Sequence, residues 1–125
     1  MYKQLNTTAL AYIGDAVYEV HVRNHVLQSG QVNADKLHQM AVKYVRAEGQ
    51  AKALKAIFDE LSEEEQDLVK RARNRKATSQ PKNVDPVVYK LATAFEALIG
   101  YHYMAENQSR LNEIIALAFA EIESS

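Results

Sequence analysis

Three features of the sequence predict an all-α fold. Apolar residues recur at helical spacing almost throughout the 125 residues, no stretch sustains the alternation of a half-buried strand, and cap residues fall between the apolar runs. Thr7 or Thr8 is placed to cap a first helix whose buried face reads as Leu10, Ile13, Val17 and Val20, with Ser29-Gly30 as its stop. Asn33 caps a second helix through Leu37, Met40, Ala41 and Tyr44, and Gly49 marks a break or a tight packing point before the run over 51–58. Ser62-Glu63-Glu64-Glu65 is a strong helix start, because a hydroxyl can accept from the free N–H groups while three carboxylates sit at the positive end of the dipole. That helix runs through Leu68 and Val69 into Lys70-Arg71-Ala72-Arg73-Asn74-Arg75-Lys76, and a polar segment over 77–83 follows with Pro81 inside it. Asp85-Pro86 restarts order, since aspartate suits the cap and proline the first helical turn. After Met104-Ala105-Glu106-Asn107, a last amphipathic helix uses Leu111, Ile114, Ile115, Ala118 and Ile122.

Residues 1–125 are read as one domain, long enough to bury a core but too short for a second module. Apolar residues make up 47% and charged residues 25%, and no apolar run approaches the ~20 residues of a bilayer span, so a membrane role is not expected. The first residues carry neither a secretory nor a transit pattern, which leaves a cytoplasmic location as the expectation. With no cysteine, disulfides, thiol nucleophiles and thiolate metal sites are all excluded, and any metal must take oxygen or imidazole ligands. The net charge of -1 announces no nucleic-acid partner, so charge distribution has to carry that argument.

Gly14-Asp15-Ala16-Val17-Tyr18-Glu19 and Thr93-Ala94-Phe95-Glu96-Ala97-Leu98-Ile99-Gly100 each set an acidic residue in an apolar helical run. A carboxylate there is costly unless paired, hydrogen-bonded or bound to a cation. If the helices bearing Asp15 and Glu96 pack side by side, the two carboxylates could hold Mg²⁺ directly or through its waters and leave positions for a phosphate. Glu19 reads instead as solvated or ion-paired. Gly14 and Gly100 each cost about 1 kcal/mol against alanine in a helix, which implies close helix contact, either inside the chain or at a subunit interface.

From Lys70 to Lys82 there are six basic residues and no acidic one. A phosphate backbone is the natural partner for such a field, and Asn74 and Asn83 add neutral donors; a solvated helix end is the alternative. His21 and His25 have i, i+4 spacing but lack the glutamate of a zinc-protease helix, and helical geometry turns His21 and His102 about 240° away from Asp15 and Glu96. Tyr12, Tyr18, Tyr101 and Tyr103 read as core or interface residues.

Leu10-Ala11-Tyr12-Ile13-Gly14-Asp15-Ala16-Val17 resembles the signature helix of the ribonuclease III family, and Phe95-Glu96-Ala97-Leu98-Ile99-Gly100 resembles its second acidic helix. The similarity is greatest to Mini-III, the branch without a double-stranded-RNA-binding domain. It extends through Arg71-Ala72-Arg73-Asn74-Arg75-Lys76 and Pro81-Lys82-Asn83. The resemblance implies a helical endonuclease domain acting as a homodimer on double-stranded RNA with Mg²⁺, leaving 5′-phosphate and 3′-hydroxyl ends. Asp15 and Glu96 match the family's catalytic, metal-binding positions. Lys70, Arg71, Arg73, Asn74, Arg75, Lys76, Lys82 and Asn83 are the expected RNA contacts, and Tyr12 and Gly14 the expected dimer contact. For this branch the implied substrate is precursor 23S ribosomal RNA. Ala11 and Thr93 stand where full-length ribonuclease III has a glutamate and an aspartate, a departure similar to that of the Mini-III branch. A non-catalytic RNA-binding or ribosome-assembly module would keep the basic segment but would not need Asp15 and Glu96 together.

Overall fold

A computed structural model describes residues 5–75 and 82–124. Within them the helices follow in chain order as α1 (Thr7–Leu27), α2 (Ala34–Val45), α3 (Ala47–Ile57), α4 (Glu63–Asn74), α5 (Pro86–Met104) and α6 (Gln108–Glu123), with a 3₁₀ turn at Phe58–Glu60. The described residues contain no strand, in agreement with the all-α reading. None of the helices among them is long and apolar enough to cross a membrane.

Most helix starts are set by the local chemistry expected of them. Asn33 accepts from the Lys36 N–H, and Asp85 accepts from the Val87 N–H with Pro86 in the first turn. Ser62 and Glu65 form a reciprocal capping box, Ser62 Oγ accepting from the Glu65 N–H at 3.1 Å and Glu65 Oε1 from the Ser62 N–H at 2.8 Å. The first cap differs from expectation: Asn6, not Thr7 or Thr8, accepts from the Ala9 N–H at 2.8 Å. Thr7 is instead buried in the first turn. Gly49 lies inside α3, and the break expected there comes at Arg46, the shared cap of α2 and α3. Gly49 is a tight packing point, since a Cβ there would fall 2.2 Å from the Lys43 carbonyl oxygen. α4 ends at Asn74, before Lys76, which with 77–81 lies outside the described residues.

α5 is the axis of the core because its sequence is apolar nearly all round. Leu91, Ala94, Phe95, Ala97, Leu98 and Ile99 are all buried, and α1, α3, α4 and α6 pack around them, α1 most extensively. α1 buries Leu10, Ala11, Gly14, Tyr18, Val22 and Val26. This is not quite the face the sequence suggested: Val20 is 59% exposed. α1 is apolar on more than one side, so periodicity offers two stripes, and the one with small residues wins because it allows the closer approach to α5. The other stripe, Tyr12, Ala16 and Val20, faces outward. Tyr18 is buried among the core aromatics and donates its hydroxyl to the Tyr44 carbonyl at 2.9 Å, tying α1 to the end of α2.

Candidate active site

The site is built where α1 crosses α5. A Cβ on Gly14 would lie 1.8 Å from the Glu96 carbonyl oxygen, and one on Gly100 would lie 1.9 Å from the Leu10 carbonyl oxygen. Each helix thus presents a bare backbone to the other, and no side chain fits between them at either point. Asp15 follows Gly14 directly, and Glu96 is itself the residue whose backbone Gly14 meets. The crossing therefore brings an exposed Asp15 and a half-buried Glu96 together, with their carboxyl groups within hydrogen-bond reach. Gly14, expected at a subunit interface, is buried within the chain by this contact.

The pairing has an electrostatic consequence. Burial first, and then the hydrogen bond and charge of the Asp15 carboxyl, push the Glu96 carboxyl up to about 9, against a smaller opposing effect of the Gln50 side chain. Two carboxyl groups in this arrangement share a proton or accept a cation between them. An all-oxygen donor set suits a hard cation such as Mg²⁺, which retains most of its own waters and needs only one or two carboxylates from a protein. Among the described residues no cluster of three or more His, Cys, Asp or Glu forms a fuller cage.

Gln50 of α3 is the residue sequence reasoning missed. It is 3% exposed. Its Nε2 donates to the Val45 carbonyl at 2.9 Å and to Glu96 Oε2 at 3.4 Å, while its Oε1 is buried with no hydrogen-bond partner. A glutamine between Gly49 and Ala51 carries no sequence signal for this role, since the contact joins residues 46 positions apart.

The other positions of the two acidic segments have plain structural roles. Ala11 is buried against the core, and Thr93 returns its hydroxyl to the Tyr89 carbonyl at 3.0 Å, so neither adds a charge. Glu19 accepts from Arg23 Nε at 3.0 Å, the ion pair anticipated for it. His25 meets Glu123 at 2.7 Å and His102 meets Glu65 at 2.6 Å, both away from the carboxylate pair.

The basic residues form a separate surface. Lys70, Arg71, Arg73, Asn74 and Arg75 are all exposed at the end of α4, as are Lys82 and Asn83 ahead of α5. Lys70, Arg71, Asn74 and Arg75 share a shallow cleft with Asn6 and Thr7 at the start of α1. From Asn6 to Asp15 the α1 axis rises about 13 Å, so one helix links the basic cleft to the carboxylates.

Sequence reasoning also passed over a buried charge cluster. Glu65, 4% exposed, receives Arg110 Nη2 on Oε1 at 2.7 Å and Arg110 Nε on Oε2 at 2.9 Å, and His102 Nε2 lies 2.6 Å from Oε2. Burial opposes ionisation of Glu65, but the hydrogen bonds from Arg110, the Ser62 N–H and His102 prevail and hold its pKa down to about 2. The cluster clamps α4, α5 and α6 together behind the site. Its only visible signal was the Ser-x-x-Glu of the capping box.

Residues 8–107 match the family model of the ribonuclease III domain. The chain is similar to the Mini-ribonuclease 3 of Enterococcus faecalis, with 44% identity over 116 residues that cover 91% of this chain and 88% of the relative. It is 46% identical over 118 residues to the Mini-ribonuclease 3 of Brevibacillus brevis, covering 94% and 88%. Among solved structures it is similar to protein FN1578 of Fusobacterium nucleatum, with a TM-score of 0.83 and 32% identity over 94% of this chain and 93% of that one.

Proposed function

The chain belongs to the ribonuclease III family, and on that premise we propose that it is an Mg²⁺-dependent endoribonuclease of double-stranded RNA with Asp15 and Glu96 as its metal ligands. The observation that carries this reading is the Gly14 crossing, which holds the two carboxyl groups beside each other from helices distant in sequence. A structural ion pair would have matched one of these acids to a base. Instead two acids face each other, an arrangement that a cation resolves.

Bound there, Mg²⁺ would supply Lewis-acid activation of water and neutralise charge at the scissile phosphate. The protein's part is positional. Asp15 sits on the exposed side, where a phosphate can reach, and Glu96 is held from the half-buried side against the core. In the reaction a water oxygen bonds to phosphorus, the P–O3′ bond breaks, and the 3′ oxygen leaves with a proton, giving 5′-phosphate and 3′-hydroxyl ends.

The exposed residues Lys70, Arg71, Arg73, Asn74, Arg75, Lys82 and Asn83 supply the electrostatic contact to the duplex, with Lys76 assigned on sequence alone. The minor groove of A-form RNA is wide and shallow and displays phosphates and 2′-hydroxyls, a surface such residues read by shape. We assign the outward stripe of α1, with Tyr12 84% exposed and Val20 59% exposed, to a homodimer contact. A two-fold dimer would set one carboxylate pair against each RNA strand. Precursor 23S ribosomal RNA as the substrate and a cytoplasmic setting are proposed on the resemblance of the Asp15 and Glu96 segments to the Mini-III branch.

The test is cleavage of a long duplex RNA with and without Mg²⁺ by the parent protein, Asp15→Asn and Glu96→Gln. Cutting by the parent that needs the ion and is lost in both variants, with duplex binding retained, is the expected result. Duplex binding with no cutting under any divalent metal would replace the enzyme by a non-catalytic RNA-binding module.

A further inference from the structure

We infer that Gln50 is a positioning residue for the nuclease site: its side-chain amide holds the Glu96 carboxylate in the orientation that faces Asp15. The inference rests on the metal-site reading above and adds to it a third side chain, from α3.

A primary amide carries two N–H bonds, and both are directed here. The Val45 carbonyl, at the last residue of α2, takes one at 2.9 Å, and Glu96 Oε2 takes the other at 3.4 Å. The orientation of the amide is unambiguous. Flipping it would set an oxygen against the Val45 carbonyl oxygen at 2.9 Å, replacing an attraction with a repulsion. Val45 thus acts as a fixed peg, and the second N–H is aimed at Glu96 by the junction of α2 and α3.

Glu96 has reason to need such a partner. Its side chain is long and only half-buried, so rotamers that turn the carboxyl group away from Asp15 are open to it unless a neighbour holds it. A donor on Oε2 opposes that rotation and leaves the rest of the carboxylate for a cation. Supporting contacts of this kind fix ligand orientation and raise metal affinity. The unpartnered Oε1 bears on the same point. A buried acceptor without a donor is unfavourable, and methionine would fill the same space without one. Capping Val45 uses one N–H alone; what glutamine adds is the second donor, on the carboxylate.

The experiment measures Mn²⁺ binding to the RNA-free protein by electron paramagnetic resonance of the free ion, for the parent, Glu96→Gln and Gln50→Met. Duplex RNA affinity without divalent metal is measured alongside. The parent should bind Mn²⁺ and Glu96→Gln should not. Gln50→Met should bind it roughly 10- to 100-fold more weakly while its RNA affinity stays within about twofold of the parent. Mn²⁺ binding by Gln50→Met within about twofold of the parent overturns the inference while leaving the nuclease reading intact. A parent that binds no Mn²⁺ overturns that reading and this inference with it. The unaltered protein provides a second measurement that does not depend on the fold of Gln50→Met. In a ¹⁵N-labelled sample the Gln50 side-chain amide signals should shift with added Mg²⁺ on the same saturation curve as the backbone signals of Asp15 and Glu96. Movement of Asp15 and Glu96 with a static Gln50 amide also overturns the inference.

Discussion

Replacing Gly14 with alanine adds one methyl group at the tightest of the glycine contacts. The new Cβ would lie 1.8 Å from the Glu96 carbonyl oxygen and 2.9 Å from the Gly100 nitrogen, with no flexible side chain in the way to yield. The first distance is about 1.6 Å short of an ordinary contact, so α1 and α5 have to part or shift. Alanine recovers about 1 kcal/mol of helix propensity at this position. Overpacking of a rigid contact costs about 3 kcal/mol, at the upper end of the usual range because both partners are backbone. The net expectation is a loss of about 2 kcal/mol, or roughly 8 °C in Tm for a chain of this length. Activity should fall further than stability. A shift on the order of 1 Å at the Glu96 backbone misplaces its carboxylate relative to Asp15, and a misplacement of that size costs about 10²-fold in rate. The assay pairs thermal unfolding followed by circular dichroism with single-turnover cleavage of a duplex RNA, well below the Tm of the variant. Gly30→Ala is the control: nothing lies within 4 Å of its Cβ, but its φ of +91° strains any other residue, so it should lose stability without losing rate. A Gly14→Ala protein as stable as the parent and cutting within about twofold of it would refute the close crossing as the device that sets the site.

Three further outcomes are expected. The Glu65 carboxyl is held at about 2, below its ordinary 4.5, so its stabilising effect is full above pH 4.5 and is lost as the pH falls from 4.5 through 2. Urea unfolding of the parent should therefore weaken by about 3 kcal/mol over that interval, a dependence that Glu65→Gln should lack, while Glu65→Gln is itself destabilised at neutral pH by about 3 kcal/mol through loss of the charged hydrogen bonds from Arg110, which keeps Glu113 as a partner. Glu96 keeps its proton in the metal-free protein up to about pH 9, so a cation binding below that pH must displace it. The Mg²⁺ concentration for half-maximal cleavage should fall as pH rises, by up to about tenfold per unit, and a flat profile would separate the cation from Glu96. Replacing Arg73 and Arg75 together should weaken duplex RNA binding and lower the salt slope by about two, read from Kd across a salt series.

The parts of the fold that were legible in the sequence are those decided within one turn of chain. Asn33, Ser62 and Asp85 cap where their side-chain chemistry places them, because a cap needs only its own N–H neighbours. Asp15 and Glu96 were legible for a different reason: a charge inside an apolar run signals an unmet requirement whatever the tertiary structure. What stayed hidden was set by contacts across the chain. The buried face of α1 could not be chosen from a helix apolar on several sides, and the choice was made by the backbone contact at Gly14. Glu65 read as one of three first-turn acids at the positive end of the helix dipole, yet Arg110 and His102, 45 and 37 residues away, make it the buried one.

Gly14 therefore does more than permit packing. A side chain at either glycine would separate α1 from α5, and Asp15, exposed on α1, would then have no fixed relation to Glu96 on the core helix. The two glycines fix the backbone separation on which the carboxylate pair is built, and Gln50 then holds the Glu96 side chain. In the proposed two-carboxylate metal site each ligand would carry a larger share of the metal's hold than in a fuller one, so fixed placement would matter more. The absence of charge at Ala11 and Thr93 and the close approach at Gly14 are in that sense complementary. Fewer ligands are tolerable where the remaining ones are rigidly placed, and Gly14→Ala should therefore weaken Mg²⁺ binding even in a protein that remains fully folded.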